Sequence, residues 1–368
     1  MAFRKAIWMA LALGCFAAAQ QSGEVTGASA ESLRLNDEAA RLSDTGKYED
    51  AERAYRAALA VQSNDIPTQA KISNHLAVLY QALGRLSDAE HMYRRALELS
   101  RKAFPPASPE IAHSMNALAQ IDWTEGRYWE ARNLLADAAK LEQAHPHDPK
   151  LPLILNNLAV VQMEFHDYGK AEDLLRKTLS ACEDLHGPAS IEFAVALNNL
   201  AQLLETRKNY AEAGPMFQKA AGILEKLGPP ASLDLAGALA NLGHMYHQQN
   251  QDEKAEPIEQ RALALANSTP PLDAPLRATI LHNLANIIAT RTADASLPYF
   301  EQSLLIRRKT LAPEHPAIIS LLLDYAKATL RAGKKSLARE LHQQARQLAE
   351  RRRREELSQL SISINALK

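Results

Sequence analysis

The sequence predicts an all-α fold of stacked helical hairpins, and three observations carry that prediction. A Leu-Ala pair or its equivalent recurs at a nearly fixed period, a second small residue follows each pair at a constant offset, and prolines gather between the copies. Composition agrees: aromatics are only 5% of the chain, while small and aliphatic residues abound. That balance suits closely packed helices better than the β-branched and aromatic bias of sheets.

The period comes first, because self-similarity over 20 to 50 residues changes the whole fold assignment. The anchors are Leu76-Ala77, Leu118-Ala119, Leu158-Ala159, Leu200-Ala201, Leu242-Gly243, Leu284-Ala285 and Tyr325-Ala326, at spacings of 42, 40, 42, 42, 42 and 41. A weaker copy precedes them at Glu38-Ala39. Twelve residues after the small residue of each anchor stands another: Ala51, Ala89, Ala131, Ala171, Ala213, Ala255 and Ala338. In the seventh copy Ser296 comes at eleven, which predicts a hairpin loop shorter by one residue. Seven residues further on lie Ala58, Ala96, Ala138, Thr178, Ala220, Ala262, Ser303 and Ala345, with bulky residues such as Tyr55, Tyr93, Leu135, Leu175, Phe217 and Phe300 in between. Small residues let two helices approach, and the large ones fill the neighbouring hole.

Proline marks the boundaries independently. Pro67, Pro105, Pro146, Pro188, Pro229, Pro270 and Pro313 fall between copies, and Pro109, Pro149, Pro152, Pro275 and Pro316 sit at or near the first turn of the following helix. There the missing amide proton costs little. Pro215, Pro257 and Pro298 recur early in second helices. The copies divide as 31–66, 67–108, 109–148, 149–190, 191–232, 233–274, 275–315 and 316–350, with a C-terminal cap or tail over 351–368.

The pattern resembles the tetratricopeptide repeat, and more closely the long version of about 42 residues found in kinesin light chains. The resemblance rests on Asn-Asn-Leu-Ala at 156–159 and 198–201, Tyr-x-x-Ala at 168–171 and 210–213, and Ala255-Glu256-Pro257. It spans residues 31–350 and implies a right-handed α-α superhelix, a solenoid of about eight hairpins whose first helices line a concave protein-binding wall. Four departures stand out: Glu38 for Leu, Asp122 and Gln162 for large apolar residues, and Glu259 for an aromatic. Those repeats are expected to pack less well.

The implied groove positions carry an unusual density of one residue type: Asn36, Asn74, Asn116, Asn156, Asn157, Asn198, Asn199, Asn241 and Asn283, joined two positions after the anchor Leu by Gln120, Gln202, His244 and Asn286. Asparagine offers a donor and an acceptor, which suits gripping the backbone of an extended peptide. The same side chain also serves to bond a neighbouring repeat and set the superhelical twist, so both roles stand open. Lys71 and Lys327 are the basic exceptions on this wall, so recognition of an acidic C-terminus is not supported.

Charge and motifs narrow the function classes. With 42 Lys and Arg against 43 Asp and Glu there is no broad electrostatic case for nucleic acid. No phosphate-cradling Gly loop, His-Glu-x-x-His or Gly-x-Ser-x-Gly occurs, and the repeats occupy nearly the whole chain, so a non-enzymatic protein without cofactors is expected. His244, His247 and His282 form a weak metal-site candidate without a recognised ligand spacing, and His145, His147 and Asp148 read as a solvated Pro-rich linker.

The N-terminus has its own signature. Arg4 and Lys5 precede an uncharged apolar run from Ala6 to Ala19, and Ala17-Ala18-Ala19 supplies small residues before Gln20, so 1–19 reads as a secretory signal peptide and 20–30 as a flexible leader. The run is 14 residues, short of the roughly 20 a membrane-spanning helix needs. Cys15 after Ala12-Leu13-Gly14 resembles a lipobox and offers a lipid anchor as the alternative. Cys182 would then stand alone in the mature chain. The expectation is an exported scaffold, periplasmic or extracellular and in the lipidated alternative associated with the outer membrane, that holds a protein segment. An accessory subunit of an envelope or secretion assembly, acting through its convex surface and linkers, is the other.

Overall fold

The computed structural model describes residues 27–61, 64–142, 144–268 and 274–366, with 355–366 described by their backbone alone. Residues 1–19, read from the sequence as a signal peptide with Cys15 as the alternative anchor, and most of the expected leader lie outside the described residues. Sixteen α-helices pair into eight hairpins: α1 (Gly27–Asp44) with α2 (Tyr48–Ala60), α3 (Ile66–Ala82) with α4 (Leu86–Ala103), α5 (Pro109–Thr124) with α6 (Tyr128–Glu142), and α7 (Leu151–Glu164) with α8 (Tyr168–His186). Then follow α9 (Ile191–Thr206) with α10 (Tyr210–Leu227), α11 (Ser232–Gln248) with α12 (Asp252–Ser268), α13 (Ala274–Ala289) with α14 (Ala293–Thr310), and α15 (Pro316–Arg331) with α16 (Lys335–Ala366). No strand occurs among the described residues.

The chain falls into two compact units. One comprises the residues up to Trp123 together with Arg127–Ala181; the other comprises Cys182–Lys368 together with the turn Thr124–Gly126. In the first, α1 lies beside α3, and the alanines Ala39, Ala51, Ala77, Ala89, Ala119, Ala131, Ala159 and Ala171 are all fully buried. Tyr55, Tyr93, Leu135 and Leu175 fill the holes these alanines leave. In the second, α9, α11, α13 and α15 run side by side, with Phe217 and Phe300 as the buried bulky residues and Phe300 stacked on Tyr325 at 5.4 Å between ring centroids. Leu341 and Ala345 of α16 close the last hairpin on Ile318, Leu321 and Leu322.

The hairpin turns show how sequence becomes local structure. Each linker is three residues long, and in seven of the eight the middle residue takes a left-handed conformation: Gly46, Gly84, Gly126, His166, Lys208, Asn250 and Gly333. The next amide then reaches back to the helix end, as Lys47 N does to Leu42 O (2.9 Å), Arg85 N to Tyr80 O (2.8 Å) and Asn209 N to Leu204 O (2.8 Å). This satisfies a carbonyl that the helix terminus would otherwise orphan.

The seventh turn differs from expectation. Its linker, Thr290 to Thr292, has the same length as the others; the missing residue is absorbed by α13, which ends four residues after its anchor Ala285. The linker's middle residue, Arg291, stays out of the left-handed region. Thr292 N instead bonds Ile288 O at 2.9 Å.

Three further expectations are corrected. Helix α1 starts at Gly27, inside the 20–30 leader, because Ser29 and Ser32 are buried and Ser32 Oγ donates to Ala58 O of α2 at 3.2 Å. The tail is not a separate cap up to Ala366 but the continuation of α16. The polar departures do not leave open holes either. Glu38 is exposed on the first helix and pairs with Arg34. Buried Asp122 accepts from Arg127 Nε at 2.9 Å. Glu259, fully buried at the aromatic position, accepts from Asn283 Nδ2 at 2.8 Å. Gly243 replaces the anchor alanine opposite it, since a Cβ there would lie 2.8 Å from Glu259 Cγ.

Lys208 is exposed and holds φ 62°, a conformation that costs a non-glycine residue roughly 1–2 kcal/mol, partly offset by the greater unfolded-state freedom of glycine. Lys208→Gly should therefore raise stability by about 0.5–1 kcal/mol in urea unfolding, and a loss of stability would contradict the turn geometry.

Candidate functional site

The first helices of successive hairpins present one face to each other and another to solvent, and the asparagines divide between these two roles. In the first unit Asn157 Nδ2 donates to Asn116 Oδ1 at 2.8 Å across two repeats, and Asn156 Nδ2 lies 3.5 Å from Asn157 Oδ1. His75 Nδ1 and Asn36 Oδ1 are 2.8 Å apart. In the second unit Asn241 Nδ2 donates to Asn198 Oδ1 at 3.1 Å, Gln202 Nε2 reaches Asn241 Oδ1 at 3.5 Å, and Asn198 Nδ2 lies 3.4 Å from Asn199 Oδ1. Asn283 is committed to Glu259 and, at 3.4 Å, to Ala240 O.

The contacts that cross between hairpins, Asn157 to Asn116, Asn241 to Asn198, Gln202 to Asn241 and Asn283 to Glu259, are inter-repeat struts. Asn116, Asn156, Asn157, Asn198, Asn199, Gln202 and Asn283 are all buried. A buried amide without partners would be costly, so each strut ties the register of one hairpin to the next. Asn74, Gln120, Asn241, His244 and Asn286 are half-buried and remain in reach of solvent. Asn74 Oδ1 is itself shut from solvent without a hydrogen bond.

The wall-facing groups of the second unit surround a pocket of about 190 Å³ between α11, α13 and α15, lined by His244, His247, Asn283, Asn286, Lys327 and Arg331 among others. Its electrostatics are set by three separate imidazole–carboxylate pairs. His244 Nδ1 lies 3.0 Å from Glu205 Oε1, His247 Nδ1 lies 2.6 Å from Asp252 Oδ1, and His282 Nε2 lies 3.2 Å from Asp324 Oδ2. Asp324 also accepts from Lys327 Nζ at 2.9 Å. The three imidazoles proposed as a weak metal candidate thus take three different carboxylates, and they form no converging set of ligand atoms among the described residues. Arg331 is exposed beside the pocket with its charge directed to solvent.

Burial decides the titration here. It pushes His282 down to about 4, because Arg307 and His244 add to the desolvation that Asp324 only partly offsets. Burial alone would raise Asp324, but the hydrogen bonds from His282 and Lys327 hold it below its ordinary value. Arg307 is buried, donates to Ala317 O at 2.6 Å, and falls to about 10 through desolvation. Burial likewise raises the Cys182 thiol to about 12, which disfavours its nucleophilic thiolate form.

The linker between α6 and α7 is where sequence reasoning missed a constellation. Asp148, read as part of a solvated loop, is only 13% exposed in its side chain and lies 3.2 Å from His113 Nε2, with Glu142 at 3.4 Å from the same nitrogen. Nothing in the local spacing announces it, because the three come from α5, the end of α6 and the linker.

His282 binds its proton more weakly folded than unfolded, so its contribution is fully present above pH 6.5 and is lost as pH falls toward about 4. Wild-type stability should fall by on the order of 1–3 kcal/mol more than that of His282→Gln across this window. Parallel pH profiles of urea unfolding for the two proteins would show that the imidazole is not held neutral.

The comparisons with known proteins agree with this architecture. The tetratricopeptide repeat model matches residues 68–144, 150–226, 192–268 and 276–351. Among solved structures, a Rap protein complexed with Competence and Sporulation Factor is similar at 14% identity with a TM-score of 0.62, over 88% of this chain and 99% of that one. BtubC (BKLC) from P. vanneervenii is 24% identical with a TM-score of 0.48, over 67% of this chain and 94% of that one. A Podosopora anserina kinesin-light-chain-type protein with TPR-like repeats is 18% identical with a TM-score of 0.46, over 53% and 95%. No curated protein matches the chain. With family matches spread over most of its length and eight hairpins in the same register, the chain belongs to the tetratricopeptide repeat family.

Proposed function

We propose that the protein is a scaffold that binds a segment of a partner protein against the wall formed by α9, α11, α13 and α15. The observation that carries this reading is the pocket between α11, α13 and α15, where side chains able to donate and accept line a recess. Asn286 and His244 supply polar edges for the backbone of an extended guest, and Arg331 supplies a charge for an acidic side chain. The struts hold these groups in place before binding, which lowers the ordering cost on association. The similar Rap protein was solved with a bound factor, which supports the use of such a fold to hold a guest. No described helix is long and apolar enough to cross a membrane.

The sequence of residues 1–19 supports export to the cell envelope, with processing before Gln20. Mass spectrometry of the mature N-terminus checks this: a chain beginning at Met1 excludes cleavage, and a diacylated Cys15 identifies the lipid anchor.

Placing a photo-crosslinking residue at Asn286 should yield adducts with a partner protein in an envelope extract. The same residue at Leu305, which is 58% exposed on α14, should yield few. Arg331→Glu should weaken those adducts about tenfold without altering helicity. Adducts confined to Leu305 would favour the assembly-subunit reading and remove the wall from consideration.

A further inference from the structure

We infer that His113, Glu142 and Asp148 form a binding site for a divalent transition cation of the Zn2+ class. Their ligand atoms all lie within 4.8 Å of one another, drawn from α5, the C-terminal end of α6 and the linker before α7. The separations from His113 Nε2 are 3.2 Å to Asp148 Oδ1 and 3.4 Å to Glu142 Oε1. Donors about 2.0–2.1 Å from a tetrahedral Zn2+ lie roughly 3.3 Å apart, so these two edges already match a coordination shell.

A second observation points to a cation independently of the clustering. Glu142 is fully buried, and neither of its carboxylate oxygens has a hydrogen-bond partner. A buried carboxylate left in that state is strongly disfavoured, and a metal is one of the few groups that satisfies both the charge and the oxygen lone pairs.

The surroundings fit the same chemistry. The same Asp148 Oδ1 accepts from the Lys150 backbone amide at 2.7 Å, which fixes the carboxylate's orientation. His113 and Asp148 keep 14% and 13% side-chain exposure, so a cation has a path from solvent. Glu110 and the Lys150 ammonium lie near enough to act on the cluster's charge, and Lys150 is the rival cation. One imidazole with two carboxylates favours Zn2+, Mn2+ or Co2+ over Mg2+ and Ca2+, which prefer all-oxygen shells. Two carboxylates and a neutral imidazole cancel the metal's two charges and leave a fourth position for water. Bound metal would staple the linker to α5 and α6 and so set how α7 leaves the third hairpin.

The test uses the whole, tag-free chain stripped with a chelator and dialysed. Calorimetric titration with Zn2+ should show one site, and Co2+ should develop the visible bands of a tetrahedral centre containing one nitrogen donor. Glu142→Gln keeps the shape and the neutral form of the side chain, so its far-UV circular dichroism should be unchanged while Zn2+ affinity falls at least about tenfold. His113→Gln should lose the same affinity, and an excess of Mg2+ should not compete. Lys150→Met should bind Zn2+ at least as tightly as wild type. The inference is overturned if wild type binds no Zn2+, if both variants bind it as wild type does, or if Lys150→Met is needed before any binding is seen. The last result would assign the cluster to an internal ion pair with Lys150.

Discussion

Everything in this fold depends on two helices being able to touch at alanine. In each hairpin one small residue lies on the first helix and two on the second, and wherever the described structure reaches them they are buried. A larger side chain at any of these points would push the helices apart and displace the tyrosine, leucine or phenylalanine that fills the adjacent hole. Since each hairpin buries its apolar face only against its neighbours, stability propagates through these contacts and no single central core exists within either unit.

That constraint also explains how polar residues survive inside. Glu259 stands where its counterparts are aromatic, and the structure compensates twice: Gly243 withdraws a methyl group, and Asn283 from the next hairpin supplies a donor. Burial still raises the Glu259 pKa well above its ordinary value, against the hydrogen bond from Asn283 that lowers it. Asp122 is handled differently, with Arg127 bridging it at the hairpin turn. Arg307 finds a backbone carbonyl. In each case the replacement is accepted because a partner from outside its own helix arrives at hydrogen-bond distance.

The asparagines illustrate a division of labour between architecture and recognition. Those that reach across about 42 residues to the next repeat, such as Asn157 to Asn116 and Asn241 to Asn198, act as spacers whose directionality keeps one hairpin in register with the next. A few polar side chains look past the struts, Asn286 foremost, and line the pocket between α11, α13 and α15.

The helical class and the repeated hairpin were legible in the sequence, because small, bulky and proline residues at fixed spacing have direct steric meaning: Ala201, Phe217 and Pro188 each say where helices touch, fill or stop. What the spacing could not say is which way an amide points, since the two rows of asparagine differ by a single position, about 100° of helical rotation. Only the packed structure decided that Asn157 reaches Asn116 of the preceding repeat while its neighbour Asn156 turns to Asn157 itself. Likewise only tertiary structure brought Asp148 from its linker to His113, because their contact spans 35 residues and follows from the path of α6 and not from any local motif.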